Sequence, residues 1–515
     1  MDVALLQSEI AALRVENAAL TAALADARQE NKILRDKLDL LIRQVFGRRS
    51  EQVDPAQLEL LLRGLGETVI DVTVEKKEMP ALAPPPLPRP RVTTQRLRVP
   101  DNLEVIREVI APDLVTAQPE QWKQIGEEVS RRLDFQPGKF FWQETVRPKY
   151  VRLGQRALPP VIAPAPPQVA EHSLAAPGLL AQLFVSKYCD HLPFYRQEKI
   201  FQQRYGVFIA RAQMIAWLDQ SVRLLDGIYR CLLTDARRRP YVQVDETPVR
   251  YQDPDLTGRC GQGYLWTALV PAPADPVVVY QWHASRAASC VASLLGPDFR
   301  GRLQCDGYSA YPAFAKEKEI QLCGCWAHAR RGFFEAKESA PQVAGWILRQ
   351  IGWLYRWEEE LRQKQAGPVA REILRAAHSR MVVARLERAF QKLQPRYLPK
   401  SPMGLAISYA LNQWPTLVRF LEHGDVEIDN NLVENAIRPT AIGKKNWLFF
   451  GSPEAGQRSA VLYTLIENCR RHGIDAYAYL KDVLTRLPTT TNQQVAQLTP
   501  LNWKRAREGP VQQAA

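Results

Sequence analysis

The chain has 515 residues, 46% of them hydrophobic, and carries 68 Lys and Arg against 55 Asp and Glu, a net charge of +13. At about 150 residues per domain this length holds roughly three or four compact units, and the basic excess suits a polyanionic partner such as nucleic acid. Composition excludes a membrane span of about 18 apolar residues, a secretory signal and a disulfide framework, so the eight scattered cysteines read as reduced thiols of a cytoplasmic protein.

Residues 1–48 read as a coiled-coil dimerisation helix. Leu6, Leu13, Leu20, Ala27, Leu34 and Leu41 recur every seven residues at d positions, and Ile10, Asn17, Leu24, Asn31, Leu38 and Val45 fall at a. Asn17 and Asn31 favour a parallel, in-register pair over one amphipathic helix packed on its own protein. Residues 49–90 hold a basic cluster, a short helical stretch and a linker broken by Pro80, Pro84, Pro85, Pro86, Pro88 and Pro90. Residues 91–157 have strand-like character and form a small β-rich module, and 158–172 are a second Pro-rich linker. Residues 173–235 are helical. There Gly206 punctuates two helices in the manner of a helix-turn-helix, and Arg196, Lys199, Arg204 and Arg211 are available to phosphates; a plain bundle with a solvated charged face is the alternative.

Beyond Pro240 the pattern changes. Strands are expected at 241–244, ending at Asp245, then at 264–270 and 277–282, followed by a helix at 287–295. A strand at 302–305 ends at Asp306, and another covers 320–323. Three strands, a helix and a strand with an acid at its tip match the start of a ribonuclease-H-like α/β sheet. This catalytic domain spans 236–470, with a helical insertion at about 335–422, and Glu434 returns on a helix. Residues 471–515 form a C-terminal helical tail.

Three islands carry the chemistry: VQVDETP around Asp245, LQCDGYSAY around Asp306 and DNNLVENAIRP around Glu434. Hard divalent cations need carboxylate oxygens on rigid elements, and two such ions clamp the attacking and leaving oxygens of a phosphodiester. Singly, each acid also reads as a turn or capping residue. Asp306 precedes Gly307, whose missing side chain would admit a metal or phosphate. Asn430 or Asn431 would cap the helix that carries Glu434 in its first turn; Arg438, one turn on, would pair with Glu434 or a phosphate. Asp429 is a rival ligand better suited to capping. CWAHARRGF puts His328 beside Arg330 and Arg331, where an imidazole serves a scissile oxygen or simply packs. Cys323 and Cys325 are too sparse for a zinc site and read as core. Lys444, Lys445 and the aromatic run 447–450 suit DNA ends, although a buried strand explains the aromatics equally.

Together FGRRSEQ, IGEEVSRRLDF with VRPKY, LLAQLFVSKYCDHLPFYRQE, VDETP, CDGYSAY, CWAHARR, DNNLVENAIRP and KKNWLFFGS resemble the IS66 family of bacterial insertion-sequence transposases over nearly the whole chain. The resemblance implies a DDE-type catalytic domain with Asp245, Asp306 and Glu434 at the acidic positions, and a helical insertion within the 128 positions between the last two. It further implies Mg²⁺ (or Mn²⁺), cleavage at element ends, and strand transfer by the exposed 3′-hydroxyl. Its partners would be transposon-end DNA, target DNA, a second copy through the coiled coil and small accessory proteins, in the bacterial cytoplasm at the nucleoid. The family usually carries a zinc module ahead of VRPKY; here the first cysteine is Cys189, so a degenerate module without zinc is expected. A non-catalytic, domesticated DNA-binding relative and a nuclease without strand transfer are the alternative functions.

Overall fold

The computed structural model describes residues 99–508 except 101, 137, 154–158, 170–172, 254, 256–258 and 317. The expected coiled coil of 1–48 and linker of 49–90 lie outside the described residues. The chain forms two compact units that interleave in sequence. One holds residues up to 182, 195–224 and 481–493; the other holds 183–194, 225–480 and 494 onward.

The first unit is built on β1 (Glu104–Val109), α1 (Asp113–Ala117), β2 (Trp122–Gln136), β3 (Lys139–Arg152) and β4 (Val161–Ile162), in the sheet order β1-β3-β2 with β4 also on β3. β2 and β3 make a long antiparallel hairpin that turns at Gly138, whose φ of 96° suits a residue without Cβ. Helices α2 (Pro177–Tyr188), α3 (Phe194–Tyr205) and α4 (Arg211–Arg238) follow. The hairpin partners Phe135 and Phe140 meet edge-on at 4.9 Å, and Phe201 and Tyr205 of α3 complete the cluster. Arg147 bridges to Glu128 at 2.9 Å across the hairpin. The sheet is thus held by aromatic packing and ion pairs. β4 lies inside the stretch expected to be an irregular linker. A two-residue edge strand tolerates the prolines around it, because only Val161 and Ile162 need to pair with Tyr150 and Lys149. Between α3 and α4 the chain turns at Gly206 (φ 68°), and the Glu198 carboxylate accepts the Arg211 amide at 2.8 Å, fixing the start of α4.

The second unit contains a five-stranded mixed sheet. β5 (Tyr241–Gln252), β6 (Cys260–Val270) and β7 (Val277–His283) form an antiparallel meander, α5 (Ala288–Leu295) crosses over, and β8 (Gly301–Gln304) returns parallel to β5. After α6 (Ala310–Ala315), β9 (Ile320–Cys323) adds in parallel, giving the order β7-β6-β5-β8-β9. β5 runs eight residues beyond the expected strand end. Its pairing with β8 covers only Tyr241, Val242 and Gln243, so Pro248 sits where β5 has a single neighbour and its missing N–H breaks no ladder. Asp245 therefore lies within a strand, just past the point where β5 and β8 part.

From β9 to residue 417 the chain is helical: α7 (Trp326–Glu335), α8 (Pro341–Gln363), α9 (Pro368–Leu374), a π turn at Arg375–Ser379, α10 (Arg380–Leu393), α11 (Pro402–Asn412) and α12 (Trp414–Leu417). Ala344, Ile347, Ile351 and Leu354 line one face of α8 at helical spacing and bury against Val382, Leu386 and Phe390 of α10. The rings of Phe333 and Phe390 stack at 5.0 Å. Next come α13 (Asn431–Trp447), α14 (Pro453–Arg471), α15 (Ala476–Arg486) and α16 (Pro500–Glu508). α14 covers β7, the open edge of the sheet. Thr464 accepts the Tyr280 amide at 2.9 Å, and the Asn468 amide takes the Val278 N–H at 3.1 Å while donating to its carbonyl at 2.6 Å. Side chains so occupy groups that would otherwise recruit another strand. No described helix is long and apolar enough to cross a membrane.

Candidate active site

Three carboxylates converge at the end of β8. Asp245 projects from β5; Asp306 follows β8 by two residues; Glu434 stands in the first turn of α13. Burial pushes the Asp245 carboxyl well above the usual carboxylate range, and the negative charges of Glu246, Glu434 and Asp306 push it the same way. Among the described residues no Lys or Arg forms an ion pair with Asp245, Asp306 or Glu434. Asp306 accepts the Tyr308 amide at 2.9 Å, which bends the chain after the strand. Glu434 has one oxygen buried without a hydrogen-bond partner; across from it, 3.8 Å away, is His328 Nδ1, equally unpartnered. This is a concentration of negative charge with open oxygen ligands, and the donor set fits a hard divalent cation.

Strand alternation separates Asp245 from its neighbour. Glu246 faces the other side, where Arg286 Nε donates to it at 2.6 Å and the Tyr311 hydroxyl at 2.6 Å. Arg286 in turn stacks on Tyr308, 3.7 Å from the ring centre. Glu246 is neutralised in place and positions the Asp306 loop through Arg286 and Tyr308.

A buried amide network fixes the approach of α13. Gln243 Nε2 donates to Gln304 Oε1 at 2.8 Å and to the Asp429 carbonyl at 3.0 Å, while its oxygen accepts the Val433 amide at 3.3 Å. Gln304 donates to the carbonyls of Gly324 and Glu427 at 3.0 and 2.8 Å. The Tyr241 hydroxyl accepts the Glu427 amide at 3.0 Å and donates to Gln304. Each partner is satisfied, so the network ties the segment before Glu434 to the two strands that carry Asp245 and Asp306. The sequence held a signal for it: Gln243 and Gln304 each follow an apolar residue near a candidate acid, and Gln243 shares a strand face with Asp245.

Several local expectations need correction. Gly307 gives its space to the protein itself, since a Cβ there would lie 3.0 Å from the Tyr409 ring and 3.2 Å from Gln413. Neither Asn430 nor Asn431 caps α13 through its side chain. Asp429, 3% exposed, does so instead, accepting the Asn431 amide at 3.1 Å and its side-chain amide at 2.8 Å. Arg438 leans on Asn435 at 3.4 Å, and the group facing Glu434 is His328. Residues 447–450 are no strand. Trp447 ends α13 and stacks on Phe450 at 4.8 Å, while Leu448, at φ 66°, turns itself and Phe449 toward solvent.

The basic candidates divide into held and exposed groups. Lys444 Nζ donates to the Thr247 hydroxyl at 3.1 Å and the Pro248 carbonyl at 3.2 Å, and Arg196 lies against the Tyr195 hydroxyl at 3.0 Å. Lys445, Arg330, Arg331, Arg438, Arg204 and Arg211 have exposed side chains. Cys323 and Cys325 are buried, as expected, but burial pushes the Cys325 thiol up to about 12 beside His328 and Glu434 rather than in a remote core.

Comparison with known proteins bears on this geometry. The profile of the Transposase IS66 family matches residues 172–458, that of the IS66 C-terminal element matches 464–501, and one described as Transposase C of IS166 homeodomain matches 33–107. Two uncharacterised proteins of Sinorhizobium fredii, y4qI and y4jD, are 35% and 34% identical to this chain. The first alignment covers 97% of this chain and 94% of the relative; the second covers 75% and 77%. A third from the same organism, y4hP, is 28% identical over 93% of this chain and 90% of its own length. The chain belongs to the IS66 family of transposases.

Proposed function

We propose that this protein cleaves DNA at the ends of an insertion sequence and joins the freed 3′-hydroxyl to target DNA, with Asp245, Asp306 and Glu434 as its catalytic acids. The observation that carries the reading is the convergence of three carboxylates that, among the described residues, form no ion pair with Lys or Arg. Uncompensated buried charge is costly, and a site that keeps it is built for an ion or a reaction. The sheet order, with an antiparallel meander followed by parallel strands, supports a ribonuclease-H-like reading of the catalytic core.

Asp245, Asp306 and Glu434 would hold Mg²⁺ or Mn²⁺, which supplies activation of the attacking oxygen and charge neutralisation at the leaving one. The protein's own contribution is placement. The Gln243–Gln304–Tyr241 network holds the approach to Glu434, and the Glu246–Arg286–Tyr308 chain holds the Asp306 loop. His328 stands where its imidazole can orient Glu434 or donate to a phosphate oxygen. Arg330 and Arg331 on α7, and Arg438 and Lys445 on α13, offer exposed cations for the DNA backbone, and Arg204 and Arg211 offer them on the helix pair α3–α4. Lys444 and Arg196 would have to leave their present partners to join them. Residues 1–48 would pair two protomers, so that two element ends are processed together.

The test is Mg²⁺-dependent cleavage and joining of DNA that carries the element's ends. Single replacements of Asp245, Asp306 and Glu434 by Ala should each abolish both products while leaving DNA binding. Activity that survives any of the three overturns the assignment, and cleavage without joined products reduces the protein to a nuclease.

A further inference from the structure

Cys325, His328 and Glu434 offer a thiol sulfur, an imidazole nitrogen and a carboxylate oxygen that all lie within 4.8 Å of one another. Cys325 immediately precedes α7, and His328 is three residues on, so both side chains address the same side of the helix. α13 brings Glu434 to meet them, and the Trp326 amide donates to the Ile428 carbonyl at 3.2 Å, which fixes α7 against the segment leading into α13. Two of the three donors, His328 Nδ1 and Glu434 Oε1, are buried without a hydrogen-bond partner.

From this cluster we infer a second cation site: Cys325, His328 and Glu434 bind a thiophilic divalent cation of the Zn²⁺ class. Sulfur and nitrogen donors disfavour Mg²⁺, which demands oxygen, and favour Zn²⁺, Co²⁺ or Cd²⁺. Three protein ligands leave one position for water, as in open zinc sites. Tetrahedral Zn²⁺ sets donor spacings of roughly 3.6 Å, so the side chains close by about 1 Å on binding. The thiol releases its proton to solvent as the sulfur–metal bond forms.

The site shares Glu434 with the proposed catalytic acids, and closing onto Cys325 and His328 draws that carboxylate away from Asp245 and Asp306. A bound Zn²⁺ withdraws the third acid, so thiophilic ions inhibit the Mg²⁺-supported reaction. This consequence rests on the proposed role of Glu434; the binding itself does not.

Co²⁺ is the probe, because its sulfur-to-metal charge-transfer band reports a cysteine ligand directly. The full-length protein should take up Co²⁺ with that band, Zn²⁺ should displace it, and Cys325→Ser should lose it with an unchanged circular dichroism spectrum. His328→Asn should weaken Co²⁺ uptake at least tenfold, which keeps the test decisive if Cys325→Ser fails to fold. In the cleavage assay, Cys325→Ser should retain Mg²⁺-supported activity and resist Zn²⁺ at least tenfold better than the parent. A band that is absent, a band that persists in Cys325→Ser, or uptake unchanged in His328→Asn overturns the site. If the band behaves as expected while Zn²⁺ leaves cleavage untouched, the site stands and the role of Glu434 in catalysis falls.

Discussion

Two regions of the second unit treat their acidic residues in opposite ways. In the helical segment, Glu358 is fully buried yet meets Arg375 at 2.7 Å and Arg371 at 3.0 Å, and Glu427 meets Arg371 at 2.9 Å and Arg362 at 3.0 Å. Arg375 also donates to the carbonyls of Phe420 and His423 at 2.7 and 2.9 Å. These cations hold the Glu427 carboxyl below the usual range despite its burial. Around the end of β8, by contrast, Asp245, Asp306 and Glu434 form no ion pair with Lys or Arg among the described residues, and Asp245 is pushed upward. Only a few residues separate Glu427 from Glu434. In the helical segment the carboxylates that serve the fold are matched by arginine, and Asp429 by amide donors; the three at the end of β8 lack an arginine partner among the described residues.

The sharpest way to break this contrast is to replace the unmatched acids. Asp245→Asn, Asp306→Asn and Glu434→Gln should each lower cleavage by about a thousandfold or more, the loss of several kcal/mol of charge stabilisation, with secondary structure intact by circular dichroism. Replacing a matched acid should do the reverse. Glu358→Ala leaves Arg375 buried without its partner and should cost about 3–5 kcal/mol of stability in denaturant titration, with specific activity of the folded fraction preserved. A smaller effect is expected of Gln243→Ala, which strips partners from Gln304, the Asp429 carbonyl and the Val433 amide. It should cost about 1–3 kcal/mol and lower activity beyond the loss of folded protein, because the approach to Glu434 loosens.

Asp245→Asn should also stabilise the metal-free protein at neutral pH. The folded carboxyl sits above its unfolded value, so ionisation opposes folding, and wild-type stability falls as pH rises from the unfolded value toward the folded one. The advantage of the variant in melting temperature should therefore vanish as pH drops below the unfolded carboxylate range. An advantage that persists there would assign it to packing rather than charge. The smallest change is expected on the surface, where Arg330→Ala and Arg331→Ala should each reduce the salt slope of DNA binding by about 1, without sequence preference.

The strand starts, the acids and the helical character of the segment after β9 were readable because each depends on local pattern. Short apolar runs rich in β-branched and aromatic residues mark β6 and β7, and the i, i+3, i+7 spacing marks α8. The end of β5 was hidden, because Pro248 looks like a terminator until its missing neighbour strand is known. At the start of α13, Asp429, Asn430 and Asn431 are all good caps by type; the capping role expected of Asp429 holds, and packing excludes the two asparagines by burying Asp429 beside the helix start. Cys325 read as core, which its burial supports, but only contact with α13 reveals what its sulfur faces. The aromatic run 447–450 misled because positive φ at Leu448 turns two apolar side chains outward, which no composition signals.

By itself the sequence determined the family and named the candidate acids in their order, because those reside in residue identity and spacing. Which acids stand together, which are neutralised and which groups hold them depends on contacts across long separations. Gln243 reaches Val433 and Glu246 reaches Arg286 and Tyr311 only after the sheet has formed. The distinction between Glu246, locked by Arg286 and Tyr311, and Asp245, beside it and without an ion pair among the described residues, comes from strand alternation combined with what packs on each face. That combination is a property of the tertiary structure, because the free energy of a charge is set by its surroundings and not by its place in the chain.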